Sequence, residues 1–163
     1  MNITISELRQ LKPPEALPQE LRNCTGFLLA RVGIASKLAA MEEFECEGFS
    51  PYSYGVLAVL AEGAKATQAT IADTLDLDRG QLVGILDELE EQGLIERRRD
   101  QNDRRRHMVS LTHAGKKRLV KIRTIVKRME DTMLDALDLE ERAALRDMLL
   151  RIAASNDDRF QQR

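Results

Sequence analysis

The sequence predicts a mainly α-helical chain with one small β-hairpin, and three observations carry that prediction. Apolar residues recur at spacings of three and four along most of the chain, which is the repeat of one helix face. A single stretch, residues 94–111, breaks that repeat with two strand-like pieces around a polar tip. The composition is 43% hydrophobic, 32% charged and only 4% aromatic, so a core exists and consists mostly of Leu, Ile, Val, Ala and Met. At 163 residues the chain has the size of one domain. Its apolar content excludes a disordered low-complexity segment, and no apolar run reaches membrane-spanning length.

Residues 1–18 contain Pro13, Pro14 and Pro18 and read as an irregular N-terminal arm. They show no signal-peptide pattern, and with only Cys24 and Cys46 the sequence predicts a reducing, cytoplasmic setting without a disulfide framework. From Gln19 to Glu45 no proline intervenes, and Phe27, Ala30, Ile34, Leu38 and Met41 form one stripe, predicting one long helix. Ser50 followed by Pro51 marks a helix start, because proline at the first helical position gives up a hydrogen bond that was absent anyway. Val56, Leu57, Val59 and Leu60 make that helix heavily apolar, hence buried; Glu62-Gly63 closes it.

Thr67 predicts the cap of a short helix, Gln68 to Leu75, with Ile71, Ala72 and Leu75 inward. After the tight turn at Asp76-Leu77, Asp78 predicts a second cap, with Gln81 three residues on as a loose capping box. In that second helix, Arg79 to Gln92, Leu82, Ile85, Leu86 and Leu89 form the core face, and Gly93 ends it. Leu94–Arg99 and His107–Leu111 then predict the hairpin, with Asp100–Arg106 as its tip. Thr112 caps a helix to about Asp135, with Leu119, Ile122, Val126, Met129, Met133 and Leu137 as its stripe. A last helix starts near Leu139, with Leu145, Met148, Leu149 and Ile152 apolar and fraying after Asn156.

Two short helices joined by a tight turn and followed by a hairpin make a winged helix-turn-helix. The division expected is an N-terminal arm at 1–18, a winged helix-turn-helix at 51–115, and helical dimerisation segments at 19–50 and 116–157. The apolar stripes of the long terminal helices would be wet in a monomer, so a second copy is expected to cover them, giving a homodimer. Net charge is −2, yet its distribution is uneven. Between Arg97 and Arg128, thirteen basic residues face two acidic ones, a local charge of +11 that leaves −13 elsewhere. No acid lies within Lys116–Arg128, so local ion pairing does not account for that run, and a cationic face for double-stranded DNA is expected.

Three spaced motifs then point to a family. Leu89-Glu90-Glu91-Gln92-Gly93-Leu94-Ile95-Glu96-Arg97 follows the pattern LExxGLxxR. Asp100-Gln101-Asn102-Asp103-Arg104-Arg105 follows DxxDxR, and Val109-Ser110-Leu111-Thr112 with Gly115 follows VxLTxxG. In this order and with these gaps, the chain resembles the MarR family of transcriptional regulators along nearly its whole length. The resemblance implies a triangular homodimer with interdigitated terminal helices. Each subunit presents one recognition helix and one wing to DNA, usually as a repressor released by a small ligand or by oxidation. It also implies that Asp103 and Arg105 form an ion pair shaping the wing tip.

The recognition helix is expected to be Arg79 to Gln92, with Arg79, Gly80, Gln81, Val83 and Gly84 on the face opposite its core. Its N-terminus suits phosphate. Arg79 suits guanine O6 and N7, and Gln81 suits adenine N6 and N7. Gly80 and Gly84, one turn apart, would let backbone approach DNA closely; relief of crowding inside the domain is the alternative. The family often carries arginine at position 84 and threonine at 83, so Gly84 and Val83 shift specificity toward a thymine methyl, groove shape and the wing. Arg97, Arg104, Arg105 and Arg106, with Thr67 and Gln68 at the start of the first short helix, complete the expected DNA contacts.

Cys24 and Cys46 are read as buried inert thiols, with a redox switch near Arg22 as the alternative. His107 and His113 lie in different elements beside basic residues, so no metal site is expected. No nucleophile–base set or phosphate loop is present, so neither an enzyme nor a cofactor is expected. Phe27, Phe44, Tyr52 and Tyr54, with Phe49, suggest a pocket for a flat phenolic effector, ordinary core packing being the alternative. Two further readings remain open at this point: a winged-helix module for an acidic protein partner, and a regulator without any ligand.

Overall fold

The computed structural model describes residues 16–63, 66–99 and 107–161. The chain falls into two compact units, Met1–Leu38 and Ala39–Arg163. Among the described residues no helix is long and apolar enough to cross a membrane.

The first unit holds α1 (Gln19–Arg22) and the start of α2 (Thr25–Cys46). The single helix expected from Gln19 is therefore interrupted at Asn23–Cys24. Asn and Thr side chains compete with helical hydrogen bonds, which explains a break at Asn23-Cys24-Thr25. The stripe of α2 is open: Ile34 is 55% exposed and Leu38 54%. Cys24 and Cys46 are both exposed, which corrects the expectation that they are buried.

The second unit continues α2 into α3 (Pro51–Glu62), α4 (Gln68–Leu75), α5 (Arg79–Glu91), α6 (His113–Met133) and α7 (Leu139–Asn156). Its sheet comprises β1 (Ala66–Thr67), β2 (Ile95–Arg99) and β3 (His107–Leu111), antiparallel in the order β1-β3-β2. β1 was not expected; it pairs Ala66 with Val109 and Thr67 with Met108, extending the hairpin.

The caps follow the sequence closely. Ser50, Thr67 and Thr112 each accept from the backbone N–H three residues on, at 3.0–3.2 Å. Asp78 accepts from Gly80 and Gln81, with no return bond from Gln81 among the described residues, so the expected reciprocal box is only half formed. The reciprocal box occurs instead at α7, between Asp138 and Glu141. Asp76 takes the left-handed turn conformation (φ 54°) between α4 and α5, and Gly93 ends α5 at φ 68°. Asp158–Phe160 form a 3₁₀ turn where fraying was expected, and the Arg159 guanidinium reaches Asp157 and Asp76.

Leu57, Ile71, Leu82, Leu86, Leu89 and Ile122 are essentially fully buried, so α3 to α6 share one core. Ile125 is buried as well, although the expected stripe of α6 omitted it. No residue of α7 is buried, and Leu139 and Met148 are 82% and 51% exposed.

One joint fixes the hairpin against α6. The Thr112 hydroxyl donates to the Gly93 carbonyl at 2.7 Å, and the Thr112 N–H donates to the Leu94 carbonyl at 3.1 Å. The same hydroxyl caps α6 by accepting from Gly115. A Cβ on Gly115 would lie 2.0 Å from the Leu94 oxygen. The glycine of the third motif is thus required by backbone contact. Gly115→Ala is expected to cost about 3 kcal/mol or more, at the upper end of overpacking. Urea denaturation measures this, and a loss below about 1 kcal/mol would contradict the contact.

Candidate nucleic-acid interface

The first turns of α4 and α5 meet at an open concavity of about 560 Å³. It is lined by Thr67, Gln68, Ala69 and Thr70 from α4 and its cap, by Arg79, Leu82 and Val83 from α5, and by His107 from β3. Four residues expected to contact DNA, Thr67, Gln68, Arg79 and Val83, therefore converge on one surface. Thr70 and His107 are additions. Thr70 escaped notice because it reads as an ordinary exposed helix residue. His107 was weighed only as a metal ligand, and no metal-type cluster occurs among the described residues.

Local sequence explains the opening. Leu82, Leu86 and Leu89 turn one side of α5 into the core, while Arg79, Gly80, Gln81, Val83 and Gly84 are exposed on the other. The two glycines differ. A Cβ at Gly84 would meet nothing within 4 Å, so crowding does not explain it. A Cβ at Gly80 would meet the capping Asp78 carboxylate oxygen at 3.0 Å.

Arg97 has another task than the one expected. Its backbone N–H and guanidinium donate to Glu90, at 3.0 and 2.8 Å, and the guanidinium also reaches Asp87 at 2.7 Å. These hydrogen bonds, chiefly from the Arg97 side chain, hold the Glu90 carboxyl below the usual carboxylate range. The Glu and Arg of the first motif thus clasp α5 to β2. Asp103, Arg104, Arg105 and Arg106 lie outside the described residues.

The basic run of α6 is also corrected. Two of its counter-charges come from remote sequence, Glu47 for Lys121 at 3.1 Å and Glu43 for Arg128, and a third is local, Asp131 one turn beyond Lys127 at 2.8 Å. Arg118 donates to the Glu47 carbonyl at 2.9 Å and stands 5.2 Å over the Phe49 ring. Phe44 and Phe49 are buried, and Tyr54 stacks on Phe44 at 6.0 Å. Tyr52 is half exposed, and Phe27 lies in the first unit, partly buried.

This arrangement has known counterparts. A protein of Thauera aromatica described as a transcriptional regulatory protein for the hcr operon is 33% identical over 132 residues, spanning 78% of this chain and 77% of its own. The MarR family model matches residues 47–106. The chain belongs to the MarR family. It is a DNA-binding transcriptional regulator with the winged-helix fold of that family. The MarR-type fold is shared with the repressor CouR bound to a 23-mer DNA duplex (TM-score 0.76, 32% identity, 86% of this chain and 99% of that one). It is also shared with CouR from Rhodococcus jostii RHA1 bound to p-coumaroyl-CoA (TM-score 0.68, 33% identity, 83% and 96%).

Two expectations follow for this MarR-family chain. Gly84→Ala is expected to raise stability by up to about 1 kcal/mol, because an exposed helical glycine gains by alanine and the space is open, while weakening DNA binding. Thermal unfolding and fluorescence anisotropy with a labelled duplex separate the effects; unchanged affinity would remove the backbone-approach argument. The lowered Glu90 carboxyl contributes stability at pH values above the usual carboxylate range and loses it as pH falls through that range and below. Glu90→Gln is therefore expected to be less stable at neutral pH and to show a flatter acid limb in urea midpoints between pH 6 and 3. A variant limb as steep as that of the parent would contradict the clasp.

Proposed function

We propose that the chain is a homodimeric repressor of a palindromic operator, with half-sites about one helical turn apart, released by a small aromatic ligand. The observation that carries the DNA part is the open concavity where Arg79, Gln68 and Val83 converge beside the N-termini of α4 and α5. Backbone N–H groups at helix N-termini and one exposed arginine suit a phosphate-flanked base edge. In this reading Thr67, Gln68, Arg79, Gly80, Gln81, Val83 and Gly84 touch the major groove. Arg104, Arg105 and Arg106 carry the wing to the minor groove, with Asp103 and Arg105 paired at its tip.

Dimerisation is supported by the exposed apolar side chains of α2 and α7, which a second copy would cover. The effector is supported by p-coumaroyl-CoA on CouR. For this chain, an aromatic acid or its thioester is the class proposed, with Phe27, Phe44, Tyr52 and Tyr54 as the aromatic set nearest in sequence.

Selection of duplexes from a random library is the test. The selected sites are expected to be inverted repeats that bind two chains each by sedimentation. Arg79→Ala is expected to weaken binding roughly tenfold or more, the value of one good base contact. Equal affinity for selected and random duplexes, or one chain per site, would overturn the reading.

A further inference from the structure

We infer that His107 is a further DNA contact, one whose charge makes operator affinity depend on pH near neutrality. The inference rests on the DNA-binding reading of the concavity and assigns a role within it.

His107 is the first residue of β3, is exposed, and lines the same surface as Arg79 and the start of α4. Among the described residues that line it, only Arg79 and His107 can carry positive charge. The others from α4 and its cap, Thr67, Gln68, Ala69 and Thr70, do not titrate. Across the ladder His107 pairs with Arg99, so the two bases stand at the stem of the hairpin on one sheet face. Among the described residues, the charged groups on the elements packed against it include Arg99 and Arg97 on β2 and Arg79, Asp87 and Glu90 on α5. Glu90 and Asp87 are already engaged by Arg97.

Imidazole is the side chain whose ordinary titration lies between pH 5 and 8. A duplex seated on the concavity brings phosphates to its rim, and phosphodiesters stay ionised throughout that range. Protonated His107 then adds one phosphate neutralisation per subunit and neutral His107 adds none. Each neutralised phosphate steepens the salt dependence of log affinity by about 0.9.

The chain has two histidines, His107 and His113, which makes the test clean. Affinity for a duplex selected by the parent protein is measured against salt concentration at pH 6 and pH 8. The parent is expected to show a steeper slope at pH 6, by up to about two for a dimer. His107→Gln is expected to show the shallow slope at both pH values, His107→Lys the steep slope at both, and His113→Gln the parent behaviour. A parent whose slope does not change with pH, or a His107→Gln variant that keeps the change, overturns the inference while leaving DNA binding intact. A parent that selects no duplex overturns the DNA-binding reading and this inference with it.

Discussion

The structure depends on the way one arginine settles the charge of the recognition helix. α5 exposes a basic first turn and an acidic second half, and acids near DNA phosphates are repelled. Arg97 resolves the conflict by crossing from β2 to bind Glu90 and Asp87 together. The pair is half exposed, so its value as stability is modest. Its value as positioning is larger, because it fixes the hairpin against α5 and pairs two carboxylates of that helix. The exposed concavity is thereby left to the first turns of α4 and α5, away from those two carboxylates.

The caps at Ser50, Thr67, Asp78 and Thr112 were legible in the sequence because each is a local event, decided by residues within one turn. The core faces of α4 and α5 were legible for the same reason. What escaped involves distant partners. β1 is two residues long, too short for any periodic signal, and exists because Val109 and Met108 offer an edge more than forty residues away. Lys121 and Arg128 looked unpaired because their acids, Glu47 and Glu43, lie far upstream. Arg97 reads in the sequence as one DNA contact among other arginines, since composition places it beside them but cannot say which way it turns.

The candidate site was read in much the same measure. Of the helix-turn-helix residues, Thr67, Gln68, Arg79 and Val83 share one surface, because they sit within two turns of two short helices. His107 did not announce itself: only the register of β3 against β2 and β1 brings it beside Arg79. The aromatic set divides, with Phe49 and Tyr54 each against Phe44 and Tyr52 half exposed.

The contact between Gly115 and Leu94 carries a mechanical consequence. The Leu94 carbonyl accepts from the Thr112 N–H, and no atom can enter between it and Gly115. Such a joint has no play, so α6 and the base of the hairpin swing as one lever arm. A helix of this length rises about 31 Å, and a tilt of about five degrees at its far end moves the near end by roughly 2–3 Å. Displacements of that size decide whether a side chain reaches a groove, so the absence of a single methyl group at Gly115 makes α6 and the base of the hairpin a stiff coupling.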